Sequence, residues 1–516
     1  MKTLMGPVLS FRGYDEQSNS WKLSALVVTE DGAPRDLYFS GNVHVPPAPA
    51  TLLWQVGNRA AYQFSFEAPL SDTPTRLTYS PAENTYFDVH LPARSEAPFM
   101  AYASCNGFSS QKVMKGVEVK NRMWLEMAAR HDQMPYHLML LGGDQVYADS
   151  VWEVVPAIKK WNSLPNAKAN KASFTKTMRS QLTKFYFDLY TERWAQPEVA
   201  QMMASIPAIS MWDDHDIFDG WGSYPAERQN CDVFQGIGDI AKHTFSVFQQ
   251  HLALNAQKPA PYLAPNQGFS VGHVVGSTAI LSIDMRSERS QTQVLSPEHW
   301  ENIYAWLSGL SNIDHLFVMS SIPVVYPDFN ILESFLGAVP GQQELEDDLQ
   351  DHWSSRSHKG ERNRMVHRLF KFQERGIRVT ILSGDVHVAA FGMLENNRTE
   401  YKGHTRVINQ LISSAIVHPA PSKMVLFALT HLLDKEREID PGILSRMGIF
   451  PGTDTKFVGA RNFLSLEPDQ NTERPRYWAN WFAEKQGEPF TKVIHPVNPR
   501  AFGPNSPPNP KKGRTG

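Results

Sequence analysis

Between residues 99 and 382, six short apolar runs (99–103, 137–141, 207–212, 278–283, 315–320 and 377–382) alternate with helix-length amphipathic segments at 117–131, 174–206, 233–254, 297–310 and 361–375. Runs of that length, bounded by polar turns, read as strands buried on both faces, and their alternation with helices predicts an α/β layered domain. Ser296 before Pro297 marks one helix start, a capping side chain followed by a residue whose fixed φ suits the first turn. Five of the six runs stop in polar residues: Ser104-Cys105-Asn106, Gly143-Asp144-Gln145, Asp213-Asp214-His215-Asp216, Asp284-Met285-Arg286 and Gly384-Asp385-Val386-His387. Ligands of open α/β sheets bind beyond the carboxyl ends of the strands, where the strand fixes the backbone and the next loop aims a side chain. A single Asp at such a place is an ordinary helix cap. Five such turns point to one shared crevice.

Upstream of this pattern, β-rich runs separated by Gly, Pro, Asn and Asp predict a small sandwich over residues 1–95, with a packing or binding role. The layered domain takes 96–499, with further strands at 462–466 and 490–494 closing or flanking it. Residues 500–516, rich in Pro, Asn and Lys, read as a disordered tail. With 50 basic against 53 acidic residues, no charge surplus points to nucleic acid. Two cysteines, Cys105 and Cys231, exclude a disulfide framework and a four-cysteine zinc site. The longest apolar stretches, as at 424–433, are roughly half the ~20 residues a membrane span needs. The first residues hold one Lys and are interrupted by Gly6 and Pro7, with neither a Sec nor a twin-arginine pattern, so the expected location is cytoplasmic.

Cys105, Asp144, Tyr147, Asp214 and Asp385 can each be anionic, and His215 and His387 stand beside them in the sequence. Gathering carboxylates without compensation raises their pKa values and destabilises the fold. Bound cations are the simplest compensation. A donor set rich in oxygen, with one thiolate and one or two imidazoles, suits a hard trivalent or divalent ion beside a second hard ion better than a tetrahedral zinc. Two metals sharing a carboxylate are suited to displacement at phosphorus.

Gly143-Asp144-Gln145-Val146-Tyr147-Ala148-Asp149, Trp212-Asp213-Asp214-His215-Asp216 and Ser383-Gly384-Asp385-Val386-His387, in this order, resemble the calcineurin-like metallophosphoesterases, and within them the PhoD (alkaline phosphatase D) branch. Ala103-Ser104-Cys105-Asn106 fits that branch, which has a Cys where most relatives have Asp-x-His. The resemblance covers roughly residues 97–420 and implies two mixed sheets packed face to face and flanked by helices. It implies that Asp144 bridges two ions, that Cys105, Asp144, Tyr147 and His387 hold a ferric ion, and that Asp214 and Asp385 hold calcium or another divalent ion. Asp385 stands where many relatives have His, and Asp214 where the common motif has Asn. His215 is then a phosphate contact or general acid, its charge favoured by Asp213 and Asp216. Asp149, Asp213, Asp216 and Asp219 become outer acids or further ligands, and relatives often carry Asn near the position of Asp219. Arg286 and Arg289 become candidate phosphate contacts. The implied reaction is hydrolysis of a phosphate mono- or diester by a metal-bound hydroxide.

Plainer roles stand beside these: a helix cap for Asp144, a buried structural Tyr147, Cys105 or His215, and ion-pair partners for Arg286 and Arg289. Asp347, Asp348, Asp351, His352 and Trp353 form a polar cluster in a helical stretch that a charged helix face explains equally well. Segments 151–206 and 325–358 are candidate lids. The signatures of P-loop, Rossmann, serine-hydrolase and zincin chemistry do not occur. A non-catalytic metal-bound scaffold, whose β domain binds a partner, is the alternative reading. It needs the ligands but neither His215 nor Arg286.

Overall fold

The computed structural model describes residues 1–497 apart from 254–255, 259, 265–267, 328–352, 354–357, 399–402, 432–435, 471 and 473. The segments expected to be strands are strands: Met100–Ala103, Leu138–Gly142 and Ala208–Met211 lie side by side and parallel in one sheet, and Thr278–Ile283, His315–Ser320 and Arg378–Ser383 do the same in a second.

The period of two along each strand separates the layers. Leu138 and Leu140 point between the sheets, where they share a core with Ile280, Phe317, Met319 and Leu382. Met139 and Leu141 point the other way, against Trp124, Met127, Met202 and Phe248. In the second sheet Leu281, Val318 and Ile381 face outward against Trp300, Leu369 and Phe370. The result is helices, sheet, sheet, helices. Helix Arg122–Gln133 covers the first sheet with a stripe of Met123, Trp124, Met127 and Ala128, and Lys359–Glu374 covers the second with Met365, Val366, Leu369 and Phe370. Pro297–Gly309 starts as the sequence indicates, with the Ser296 hydroxyl accepting from the His299 N–H. Leu140 is fully buried between the sheets, so Leu140→Ala should cost about 2–5 kcal/mol of stability, read as a lower urea midpoint with an unchanged slope.

Two boundaries differ from the sequence-based expectation. The helix expected over 174–206 is two helices, Lys176–Trp194 and Pro197–Ser205, because Pro197 forces Gln196 into the extended region at ψ 130°. The N-terminal strands join the main sheet. Lys2–Asp15, Ser20–Glu30, Arg59–Pro69 and Thr51–Val56 continue the first sheet past Ala208–Met211, with Ser10 paired to Ala208, and Asn462–Pro468, Tyr477–Ala483 and Phe490–Ile494 extend it beyond Met100–Ala103, which makes ten strands among the described residues. A three-stranded sheet of Tyr38–Gly41, Thr75–Ala82 and Thr85–Leu91 packs on this wing through Leu77, Tyr79, Val89 and Leu91. Residues 1–95 thus form two layers, one of them continuous with the central sheet. Lys2–Asp15 was hidden by Gly6-Pro7, which sits where the register with Ser20–Glu30 shifts, the kind of bulge at which a strand tolerates proline. The expected tail, 500–516, lies outside the described residues.

Candidate functional site

The parallel strands of both sheets end at one edge, and there the sheets converge. The Cys105 N–H donates to Gly143 O, the Asn106 N–H to Asp144 O, and the Gly384 N–H to Ser321 O. The Ser104 hydroxyl crosses to Ser413 O of the second sheet at 3.0 Å. Two glycines make this approach possible. A Cβ on Gly143, whose φ is +99°, would lie 2.8 Å from the Asp213 Cβ, and one on Gly384 would lie 2.5 Å from the Ser104 Oγ. Four of the converging residues hold φ angles that side chains rarely adopt: Cys105 at 55°, Asp144 at 53°, Asp385 at 69° and His387 at 52°. Such conformations persist where surrounding structure enforces them, and they concentrate at functional sites.

Asp144, Asp213 and Asp214 are 1%, 1% and 2% exposed. One oxygen from each lies within 4.8 Å of the others, and Asp214 also joins His215 and Asp219 in a second group of the same size. Asp144 Oδ1 is buried without a hydrogen-bond partner. Burial, then Asp213, pushes the Asp144 carboxyl well above its usual pKa. Cys105 Sγ lies 3.5 Å from Asp144 Oδ2 and 3.0 Å from the Ser414 hydroxyl, and burial and Asp144 push the thiol up. The Tyr147 hydroxyl meets His387 Nε2 at 3.2 Å. Burial, Cys105 and Asp144 push this phenol up, while burial and the neighbouring His418 and His215 push His387 down. Asp144, Cys105 and Tyr147 are therefore disfavoured as anions, and the imidazole is held neutral, until positive charge enters. A cation reverses those shifts. The buried, oxygen-rich donor set with its unpartnered carboxylate oxygen fits hard metal ions.

His215 stands apart. Burial opposes its charge, but Asp149, Asp214 and Asp144 outweigh that and raise its pKa. Its Nδ1 is 2.9 Å from Asp149 Oδ2, and its ring stacks on Tyr147 with centroids 4.3 Å apart. Asp149 also accepts the Asp219 N–H at 2.9 Å. A cavity of about 680 Å³ opens beside this cluster, with Tyr147, Ser109, Phe108 and Arg193 in its wall.

The family model described as PhoD related phosphatase matches residues 71–341 and 333–439, most of the chain. The chain belongs to that family. A curated relative, the uncharacterized protein YGR266W of Saccharomyces cerevisiae, is 27% identical over 500 residues, covering 80% of this chain and 71% of its own length. The solved structure of PhoD superposes with a TM-score of 0.54 at 12% identity, covering 95% of this chain and 92% of that one. At that identity the likeness establishes the fold, the packed mixed sheets with flanking helices.

In this member of the family the expected residues fall into distinct surroundings. Cys105, Asp144, Tyr147 and His387 come together, and Cys105 and Tyr147 pack on one another beside Ala415. The Asp385 backbone reaches the same place, its carbonyl 3.9 Å from Cys105 Sγ. Asp213, expected as an outer acid or a further ligand, stands with Asp144 and Asp214, and Asp219 with Asp214. Asp216 instead accepts backbone N–H groups, among them that of Asp144. Arg286, expected as a phosphate contact, meets the carboxylates. It is 1% exposed, its Nε donates to Asp213, its Nη2 lies 3.2 Å from Asp214 Oδ1, and its Nη1 donates to Trp221 O. Arg286 therefore backs the carboxylates. Arg289 is buried with its Nη2 3.4 Å from His358 Nδ1. Asp284 accepts from the Trp212 indole, the Phe269 N–H and Ser287, and braces its loop. Trp353 is in the outer core of the second sheet, its indole directed at the Ser320 hydroxyl. Asp347, Asp348, Asp351 and His352, and most of the segment 325–358, lie outside the described residues.

Sequence reasoning missed Ser414 and His418. The Ser414 hydroxyl bridges Cys105 Sγ and the His387 N–H. His418 stacks on His387 with centroids 3.8 Å apart, and its Nε2 meets the Ser109 hydroxyl at 3.1 Å. Both follow the strand Val407–Ser413, whose apolar residues are interrupted by Asn409 and Gln410, so the contrast that exposed the other loops is weaker here. Among the described residues no helix is long and apolar enough to cross a membrane.

Proposed function

We propose that the protein hydrolyses phosphate esters at a pair of cations held where the two sheets converge. The observation that carries this reading is Asp144, a buried carboxylate with one unpartnered oxygen, grouped with two further acids in a chain of a phosphatase family. Cys105, Asp144, Tyr147 and His387 would hold a ferric ion, because phenolate and carboxylate are hard donors. Asp214 and Asp385 would hold calcium or another divalent ion, with Asp213 and Asp219 as further donors. Bound there, the ions supply Lewis acidity and neutralise charge developing on the phosphate oxygens.

The chain's own residues do the rest. Arg286 holds Asp213 and Asp214 in place, a positioning task. Asp149 occupies His215 Nδ1 and keeps the ring protonated, which leaves Nε2 to deliver a proton to the departing oxygen. The cavity beside Tyr147 and Ser109 receives the alcohol portion of the ester. Asp149→Asn should lower kcat about 10–100-fold with metal content retained. Because Asp149 is the leading charge raising the His215 pKa, the alkaline limb of the rate profile should move to lower pH. An unchanged limb would remove His215 from the acid role.

The reading is tested with iron- and calcium-reconstituted protein on p-nitrophenyl phosphate and bis(p-nitrophenyl) phosphate. Release of nitrophenol is expected, and the ratio of the two rates assigns monoester or diester preference. No release from either, with both ions bound, would favour the metal-bound scaffold.

A further inference from the structure

Asp216 follows two candidate ligands in the chain yet belongs to neither ligand group. Its Oδ2 accepts the N–H groups of Asp144 and Asp213, each at 2.9 Å. Its Oδ1 accepts those of Gln145 at 3.1 Å and Val146 at 3.3 Å, together with the Gln249 amide at 3.1 Å and the Tyr190 hydroxyl at 3.4 Å. Successive backbone N–H groups in a turn with positive φ form a concavity that holds an anion. Here the turn is Gly143-Asp144-Gln145-Val146, with φ of +99° and 53° at its first two residues, and the group it holds is a carboxyl of the chain itself. The same carboxylate ties down the backbone of Asp213, which sits on the neighbouring strand's loop. One side chain thus spans the two loops that present Asp144 on one side and Asp213 and Asp214 on the other. Gln249 closes the helix Asp232–Phe248 and Tyr190 lies on Lys176–Trp194, so two outer helices bear on the same carboxylate.

We infer that Asp216 is the positioning residue that sets the spacing between Asp144 and the Asp213–Asp214 pair, with Gln249 and Tyr190 holding it in turn. The inference rests on the reading of Asp144, Asp213 and Asp214 as cation ligands, but the clamp itself is measurable in metal-free protein. Hydrogen exchange by mass spectrometry on Asp216→Asn should show the amides of 144–146 exchanging at least 100-fold faster than in wild type, with 139–141 still protected. Titration with Mn²⁺, followed by electron paramagnetic resonance, should show at least a 10-fold loss of affinity or one site fewer. Gln249→Met, which leaves the acid in place, should weaken Mn²⁺ binding 3–10-fold, and it carries the test if Asp216→Asn does not fold. Unchanged exchange at 144–146 would overturn the clamp. Faster exchange with unchanged Mn²⁺ affinity would reduce Asp216 to a structural residue. Full Mn²⁺ binding in Gln249→Met together with loss of one ion in Asp216→Asn would make Asp216 a ligand itself. A wild type that binds no Mn²⁺ would instead contradict the ligand reading, while the exchange result still decides the clamp.

Discussion

Asp144→Asn should leave a folded protein with turnover reduced by at least three orders of magnitude, because it removes the carboxylate placed among Cys105, Asp213 and Asp214. The amide cannot carry negative charge to a cation, and loss of an ion removes the Lewis acid from the reaction. The same substitution should stabilise the metal-free protein above neutral pH. The sign follows from linkage. Burial and Asp213 raise the Asp144 pKa in the folded state, so folding takes up a proton there. Stability from this group is fully present below its unfolded pKa, about 4, and is lost as pH rises toward the folded value, by about 1.4 kcal/mol per unit. Asn does not titrate and escapes that loss. With metal the order reverses, since binding to the folded state alone raises stability. Wild type should then gain melting temperature on adding Mn²⁺ or Ca²⁺, and Asp144→Asn should gain far less. Thermal melts at pH 5 and pH 8, with and without metal, read all four states.

Gly143→Ala should be a strongly damaging single-methyl change at the site. Two effects combine. A residue with a Cβ pays about 1–2 kcal/mol to hold a left-handed backbone, and this Cβ would stand 2.8 Å from the Asp213 Cβ and 3.3 Å from that of Ser321. Overpacking of that kind typically adds about 1–3 kcal/mol. Because Asp213 is one of the two side chains that must yield, metal affinity should fall with stability. Urea unfolding and a Mn²⁺ titration on the same preparation would show a combined loss of about 2–5 kcal/mol and weakened binding. Stability near wild type would mean that the two sheets do not converge as tightly as the Gly143 geometry requires.

Much of this was readable in the sequence, for a physical reason. A strand buried on both faces must be apolar along its whole length, so Leu138–Gly142 or Met100–Ala103 stands out, and the polar residue that follows it has no packing reason to be there. That contrast located Cys105, Asp144, Asp214 and His387. It did not reveal how the loops pair with one another. Arg286 has the composition of a phosphate contact, and only its buried setting against Asp213 and Asp214 shows that it backs the carboxylates. Asp216 has the composition of a ligand, yet its oxygens are filled by main-chain N–H groups that no residue pattern advertises. Likewise, Lys2–Asp15 joins the central sheet through pairing to Ala208, more than 190 residues away. The alternation of apolar residues that marks an N-terminal strand does not say which sheet it enters. The family motifs supplied the order of the polar loops, and the geometry supplied their partners.

The most direct measurement is the metal content of the purified chain by elemental analysis, wild type beside Asp144→Asn, with phosphate-ester hydrolysis followed on the same samples. Wild type should bind about two ions per chain and release nitrophenol, and the variant should lose at least one ion and the turnover together. A wild type that binds no metal, or an Asp144→Asn protein that keeps both ions and full turnover, would contradict a cation-dependent phosphoesterase centred on Asp144.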